Sequence, residues 1–196
     1  ELDKVFECKE LNNLLIDPYG AKKDLKLKII RAVNNKAFDE DPLRLLRAFS
    51  LAAIFNFKID TQTIKLIKLK AKSLSTVSYE RIRDELFKIL DRPDSFKYIA
   101  QMDKLKLLRV IIPDIEAMRR MKQGPYHHLD VWGHTLETIK QLEILIAELK
   151  NNQEIQSYLN EFISTNRRRR SLIKLGAFLH DIGKPQAFRH EDGKTM

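Results

Sequence analysis

The chain has 196 residues, a net charge of +9 and 43% apolar residues. Its mean hydropathy is −0.37 and its pI about 9.6. That length allows a sizeable core in one or two domains, and no apolar run approaches the roughly 18 residues a membrane-spanning helix needs. Nothing at the start resembles a signal peptide. Cys8 is the single cysteine, which excludes an internal disulfide framework and fits a reducing cytoplasm. The positive charge favours a polyanionic partner such as nucleic acid, although general basicity also serves solubility.

Six glycines and six prolines leave little room for a turn-rich sheet protein, and helical periodicity dominates. The opening, 9–33, reads as strand and loop, with a short strand at Ile29 to Val33. The spacing predicts a helix from Asp41 to Phe55, with Leu45, Leu46, Phe49, Ala52 and Ala53 on its apolar side. Asp60 is placed to cap a second helix that carries Ile64, Ile67, Ala71 and Leu74 on one stripe and Lys65, Lys68 and Lys72 on another. Ser78 is placed to cap a third, with Ile82, Leu86, Ile89 and Leu90 inward. Pro93 opens a fourth, from about Asp94 to Leu107, and a short helix ends near Met121. Gln123-Gly124-Pro125 is the best domain boundary. Beyond it Asp130 caps a long helix to about Lys150, buried through Val131, Ile139, Leu142, Ile146 and Leu149. A modest helix is expected over Glu154 to Ser164, and another from Arg167 to Asp181, stopped by Gly183 and Pro185. Phe49, Phe55, Phe57 and Trp132 read as core.

The run from Asp39 to Ala48 carries the sharpest chemistry. Asp39 can cap, Glu40 and Asp41 suit a positive helix end, and Pro42 fits a first turn. Arg44 follows Asp41 by three residues, so both side chains share a helix face. A carboxylate beside a guanidinium presents acceptors and donors in one plane, which matches the edge of a nucleobase. The same spacing also describes an ordinary capped helix with a surface ion pair.

This run stands in an ordered set. It is preceded by Leu15-Ile16-Asp17-Pro18-Tyr19-Gly20-Ala21-Lys22-Lys23-Asp24-Leu25 and Ile29-Ile30-Arg31-Ala32-Val33. It is followed by Val77-Ser78-Tyr79-Glu80-Arg81-Ile82-Arg83-Asp84-Glu85-Leu86. Over roughly 11–120 the order and spacing resemble the second half of the bacterial tRNA nucleotidyltransferase and poly(A) polymerase family, the class II CCA-adding type. The resemblance assigns selection of the incoming ATP or CTP base to Asp41 and Arg44. Arg47, one turn after Arg44, and Arg81 and Arg83 near the third helix start are placed to line one nucleotide and RNA 3′-end cleft with it. Lys65, Lys68, Lys72 and Arg83 are the expected RNA contacts. Ala21 departs from the family, which usually has a second glycine there. The family's head holds two magnesium ions on a paired-Asp motif behind a Gly-rich loop, and neither motif precedes Asp17. The chain also starts at Glu1 rather than at a methionine. The expectation is therefore a fragment that selects the base and binds RNA but cannot transfer nucleotides by itself.

A second constellation lies downstream. Tyr126-His127-His128-Leu129-Asp130-Val131-Trp132-Gly133-His134-Thr135, followed by His180-Asp181-Ile182-Gly183-Lys184-Pro185, resembles the HD phosphohydrolase superfamily over about 126–196. Imidazole and carboxylate together suit a divalent transition metal. The resemblance makes His134, His180 and Asp181 metal ligands and Lys184 a phosphate-facing group. The superfamily's further ligands lie further downstream than this sequence runs, so weak or no metal binding is expected. The alternative is a hydrogen-bonded helix end with a core histidine. His127 and His128 are expected in a linker, and His190 on the surface.

The four arginines Arg167 to Arg170 at an expected helix start oppose the helix dipole, which hints at a phosphate between them, although such runs are commonly just solvated. Arg119, Arg120 and Lys122 form a similar group. The expected architecture is mainly α. It divides into the tail of a nucleotidyltransferase head at 1–36, a helical neck and body at 37–123 and a partial HD-type helical domain at 124–196. The first functional expectation is a piece of an enzyme that adds CCA or A to tRNA or other RNA 3′ ends. Its rivals are a metal-dependent phosphohydrolase and a non-catalytic RNA-binding module.

Overall fold

The computed structural model describes residues 16–121 and 129–187, with the backbone of 190–191 and 194–195. Cys8, Gln123-Gly124-Pro125, Lys122, His127, His128 and the side chain of His190 lie outside the described residues.

The chain is mainly α, as its periodicity predicts. Helix α1 (Ala21–Lys26) is capped by Asp17, whose oxygens accept from the backbone N–H of Ala21 at 2.7 Å and Lys22 at 2.9 Å. Gly20 takes a left-handed φ of 74° there, whereas Ala21 is already right-handed helix. The missing second glycine therefore costs the turn nothing. Strand β1 (Ile29–Ile30) pairs in parallel with β2 (Lys58–Ile59). Arg31 ties the junction by reaching Asp24 at 2.9 Å and Asp60 at 3.0 Å.

The expected single helix from Asp41 is broken. A short helix α2 (Ala37–Glu40) stops at Asp41, which is extended at φ −146°, and α3 (Arg44–Phe55) starts three residues later. The cause is Pro42: its ring pushes the preceding residue out of the helical region. Asp39 accordingly lies inside α2 and pairs with Lys70 at 2.6 Å instead of capping.

Helix α4 (Thr61–Lys70) is capped by Asp60, which accepts from the N–H of Gln62 and Thr63, as its position predicts. A 3-10 turn (Ala71–Thr76) leads to α5 (Tyr79–Leu90). Ser78 has extended backbone at the α5 start but makes no side-chain cap bond. Then come α6 (Ser95–Lys104), α7 (Leu108–Ile111) and α8 (Ile115–Met118). The fourth helix thus ends three residues before Leu107, at a left-handed Lys106 with φ 67°.

Asp130 caps α9 (Val131–Glu148) through the Gly133 N–H, and also accepts from the Arg120 N–H at 2.8 Å. Only the first part of α9 is deeply buried, with Val131 and Ile139 inaccessible and Leu142, Ile146 and Leu149 half-buried. Helix α10 (Gln153–Asn160) is shorter than expected. The next residues form a hairpin, β3 (Phe162–Ser164) against β4 (Arg167–Arg168), with Asn166 left-handed at φ 62° in the turn. The β-branched Ile163 and Thr165 and a turn-prone Asn explain why helix does not continue. Helix α11 (Arg169–Leu179) and a short α12 (Lys184–Ala187) follow, and β5 (His190–Glu191) pairs with β6 (Lys194–Thr195).

One apolar cluster includes residues on both sides of position 123, among them Phe49, Ile67, Leu86, Ile99, Trp132, Ile139 and Phe178. Trp132 is core, as expected, packed edge-on against Phe178 at 5.6 Å. Phe55 is not: it is half-exposed and leans on Phe57 at 5.7 Å. A buried ion pair joins the late helices to α6. Lys174 on α11 reaches Glu143 on α9 at 2.6 Å and the Arg92 carbonyl at 2.5 Å. Glu143 in turn accepts from Ser95 and from the Phe96 N–H at 3.1 Å, so it serves as the α6 cap.

Candidate nucleotide cleft and metal cluster

The break at Asp41 decides the geometry of the first site. With Asp41 extended, its carboxylate turns from Arg44 to α5, where Arg81 Nη2 lies 3.1 and 3.2 Å from its two oxygens. Arg44 instead donates to Glu40 at 2.8 Å, one helical turn back, and to the Ala37 carbonyl at 3.0 Å. The side-by-side Asp41–Arg44 plane expected from the spacing is therefore replaced by two pairs, Asp41–Arg81 and Glu40–Arg44. Each guanidinium keeps unused N–H groups, because a guanidinium carries five.

Between β1, α2 and α3 opens a cleft of about 450 Å³, lined by Arg31, Glu40, Arg44 and Arg47 on its polar side and by Tyr19, Ile30, Phe38 and Leu51 on its apolar side. An apolar pocket with a few convergent charged groups suits a small planar ligand. Arg44 and Arg47 share this cleft. Asp41 and Arg81 are not in its lining, and form their pair beside it.

Beneath Arg47 lies a group that sequence reasoning missed. Glu85 on α5 is 3% exposed and accepts a hydrogen bond from Ser50, with Lys88 Nζ at 2.8 Å and Arg47 Nε at 3.8 Å. No local spacing signals it, because Ser50 lies 35 residues away. Glu40 was legible as an i,i+4 partner of Arg44.

Arg83 faces elsewhere than the cleft. It pairs with Asp84 at 3.1 Å, and Arg167 reaches the same carboxylate at 3.0 Å. Arg83, with Arg167 behind it, holds the Asp84 carboxyl below its ordinary range. Lys65, Lys68 and Lys72 are exposed along one face of α4 and the turn after it, with Leu69 beside them 74% exposed.

The second site gathers as the sequence predicts. Donor atoms of His134, His180 and Asp181 all lie within 4.8 Å of one another. Asp181 Oδ2 is 3.2 Å from His180 Nε2 and 4.0 Å from His134 Nε2. His180 is oriented through Nδ1, 2.9 Å from the Ala177 carbonyl. Two imidazoles and one carboxylate are the donor set of a divalent transition metal. Lys184 Nζ stands 2.7 Å from Asp181 Oδ2, so this lysine faces the Asp181 carboxylate.

The arginine run is engaged rather than simply solvated. Arg167 lies over Phe87 at 4.9 Å, Arg168 pairs with Asp91 at 2.7 Å, Arg169 pairs with Glu161 and Arg170 donates to Asn160. Arg119 likewise serves structure. It pairs with Asp103 and Glu116 and covers the Trp132 ring at 5.3 Å.

Several known proteins resemble this chain in sequence and fold. Residues 56–119 match the family described as "Probable RNA and SrmB-binding site of polymerase A". The A-adding tRNA nucleotidyltransferase of Deinococcus radiodurans is 31% identical over 182 residues, 90% of this chain and 37% of that protein. The CC-adding tRNA nucleotidyltransferase of Geobacter sulfurreducens is 34% identical over 174 residues, 87% of this chain and 38% of that protein. A solved tRNA nucleotidyltransferase, complexed with a primer tRNA and an incoming ATP analog, shares the fold at a TM-score of 0.63. It is 23% identical and covers 85% of this chain and 42% of that one. The chain is similar to the tRNA nucleotidyltransferase and poly(A) polymerase family over most of its length. It spans less than two-fifths of the length of these two curated relatives.

Proposed function

We propose that this chain is the base-selecting and RNA-holding part of an enzyme that adds CCA, or A alone, to the 3′ ends of tRNA or other RNA from CTP and ATP. The observation that carries the reading is the cleft between β1, α2 and α3, with Arg44 and Arg47 beside an apolar wall. In this reading a base lies against Ile30 and Phe38 and meets the free N–H groups of Arg44. Asp41, held by Arg81, supplies the acceptor from the cleft's rim. Arg47, braced by Glu85, faces the nucleotide phosphates. The exposed Lys65, Lys68 and Lys72, with Arg83, hold the RNA backbone by charge. The segments 1–36, 37–123 and 124–196 are read as head tail, neck and body, and HD-type domain.

Phosphoryl transfer of this kind uses two magnesium ions held by carboxylates. Those carboxylates are expected from the rest of the protein, since the cleft's acidic group, Glu40, is committed to Arg44. A cytoplasmic location fits the lone Cys8 and an RNA substrate. The test is transfer of labelled CTP and ATP by the full-length protein to tRNA lacking its 3′ end, with and without magnesium. Magnesium-dependent extension is expected, and a protein that binds tRNA but extends nothing would favour the non-catalytic module.

The clustered His134, His180 and Asp181 favour a second activity, a metal-dependent phosphohydrolase in the same polypeptide. A divalent transition metal there would polarise a phosphoryl oxygen and activate water. The chain's own part is to fix three donors on α9, the end of α11 and the turn after it, and to set Lys184 beside Asp181. Calorimetric titration with Mn2+ should show binding that His134→Ala removes; equal heats for the two proteins would sink this reading.

A further inference from the structure

The arginine run and the body meet in a way that the nucleotide cleft does not use. Arg168 and Arg170 open the last long helix, yet they fold back beside Asp91 and Arg92 at the end of α5, and the Arg168–Asp91 contact joins residues 77 apart. Arg92 lies within the matched RNA-binding module, whereas Arg168 and Arg170 lie beyond it. Arg168 thus pairs with Asp91, and Arg170 stands near enough to feel the charges of Asp91, Arg168 and Arg92. Asp91 answers Arg168 at 2.7 Å, whereas Arg170 donates to the neutral amide oxygen of Asn160 and feels Asp91 only through charge. The Nε atoms of Arg92 and Arg170 are buried and have no hydrogen-bond partner among the described residues. Burial and the neighbouring Arg168 and Arg92, against Asp91, push the Arg170 guanidinium below its ordinary value. Burial is the main cause, since it disfavours a charged guanidinium, and the cluster also holds Asp91 Oδ1, itself buried without a hydrogen-bond partner among the described residues.

Flat apolar faces flank this cluster. Tyr158 is 53% exposed and carries Arg169 over its ring at 4.1 Å; Phe162 is 59% exposed and carries Arg168 at 4.8 Å. Aromatic rings beside backbone-tracking cations are how single-stranded nucleic acid is held without sequence preference.

We propose that Arg92, Arg168 and Arg170 form a phosphate-binding site for a backbone phosphodiester of RNA, with neighbouring unpaired bases stacked on Tyr158 and Phe162. The site extends the RNA surface from the body onto the β3–β4 hairpin and the start of α11. This inference rests on the reading of the chain as RNA-binding.

The test is arginine-selective modification with phenylglyoxal, read by mass spectrometry on the unaltered full chain, with and without an unstructured oligoribonucleotide. Arg168 and Arg170 should be protected by RNA, and matched inorganic phosphate should not protect them. In parallel, Arg170→Ala should lower the slope of log affinity against log salt by about 0.7, and Tyr158→Ala should weaken binding about tenfold. Suppose instead that RNA binds and is weakened by alanines at Lys65, Lys68 and Lys72, while Arg168 and Arg170 react at unchanged rates. This site is then wrong and the RNA-binding reading stands. Equal protection by free phosphate would make it a free-anion site and overturn the proposal. No RNA binding at low salt would overturn both.

Discussion

Arg44 and Asp41 are adjacent in role but not in contact, because each already has a partner. A half-exposed pair such as Asp41–Arg81 contributes less than about 1 kcal/mol to folding. In the proposed reading its value lies in orientation: the pair would fix a carboxylate at the cleft's rim before a base arrives. A double-mutant cycle on Asp41→Asn and Arg81→Ala should therefore show small coupling in urea denaturation but clear coupling in nucleotide affinity. Glu85 is different, being buried with Ser50, Lys88 and Arg47 around it. Glu85→Ala strands a buried hydroxyl and should cost about 2 kcal/mol in urea denaturation. It should also weaken triphosphate binding more than Lys88→Ala does, because it frees Arg47.

At the level of elements, the kink at Pro42 is the decisive feature. Without it, α2 and α3 would run together and Asp41 would lie on the helix surface, away from Arg81. Pro42→Ala should raise helical circular dichroism slightly and blunt discrimination between CTP and ATP. The other element-scale feature is the Lys174–Glu143 pair, which fastens α11 and α9 to α6. Breaking a buried pair leaves one charge unanswered, so Lys174→Met should cost about 3 kcal/mol. Burial pushes the Lys174 amine below its ordinary value of 10.5, with Glu143 opposing. Between those two pKa values the unfolded chain binds more protons than the folded one, so stability rises with pH through that window. Urea midpoints measured up to pH 10 should show the rise in the native chain, and Lys174→Met should flatten it.

At the scale of the whole molecule, charge and helical periodicity reveal the mainly α architecture, the caps at Asp60 and Asp130 and most of the core. Those features are local, and local spacing carries them. His134 and His180-Asp181 could be gathered from sequence only because a family pattern links them across the chain. The Ser50–Glu85 bond, the Lys174–Glu143 pair and the contacts of Arg167 and Arg168 with Asp84 and Asp91 join residues 31 to 83 apart, which no periodicity reports. The β3–β4 hairpin was misread as helix because its short strands carry little alternation. Pro42 is visible in the sequence, but a proline fits a helix's first turn as readily as it forces the preceding residue to be extended, so spacing alone does not separate the two outcomes.

The most direct test of the account is transfer of CTP and ATP, in competition, by the full-length protein carrying Arg44→Ala, with tRNA lacking its 3′ end as acceptor. The account predicts that extension continues at a reduced rate while the choice between the two nucleotides collapses. An unchanged preference would contradict it, and would place base selection outside the cleft between β1, α2 and α3.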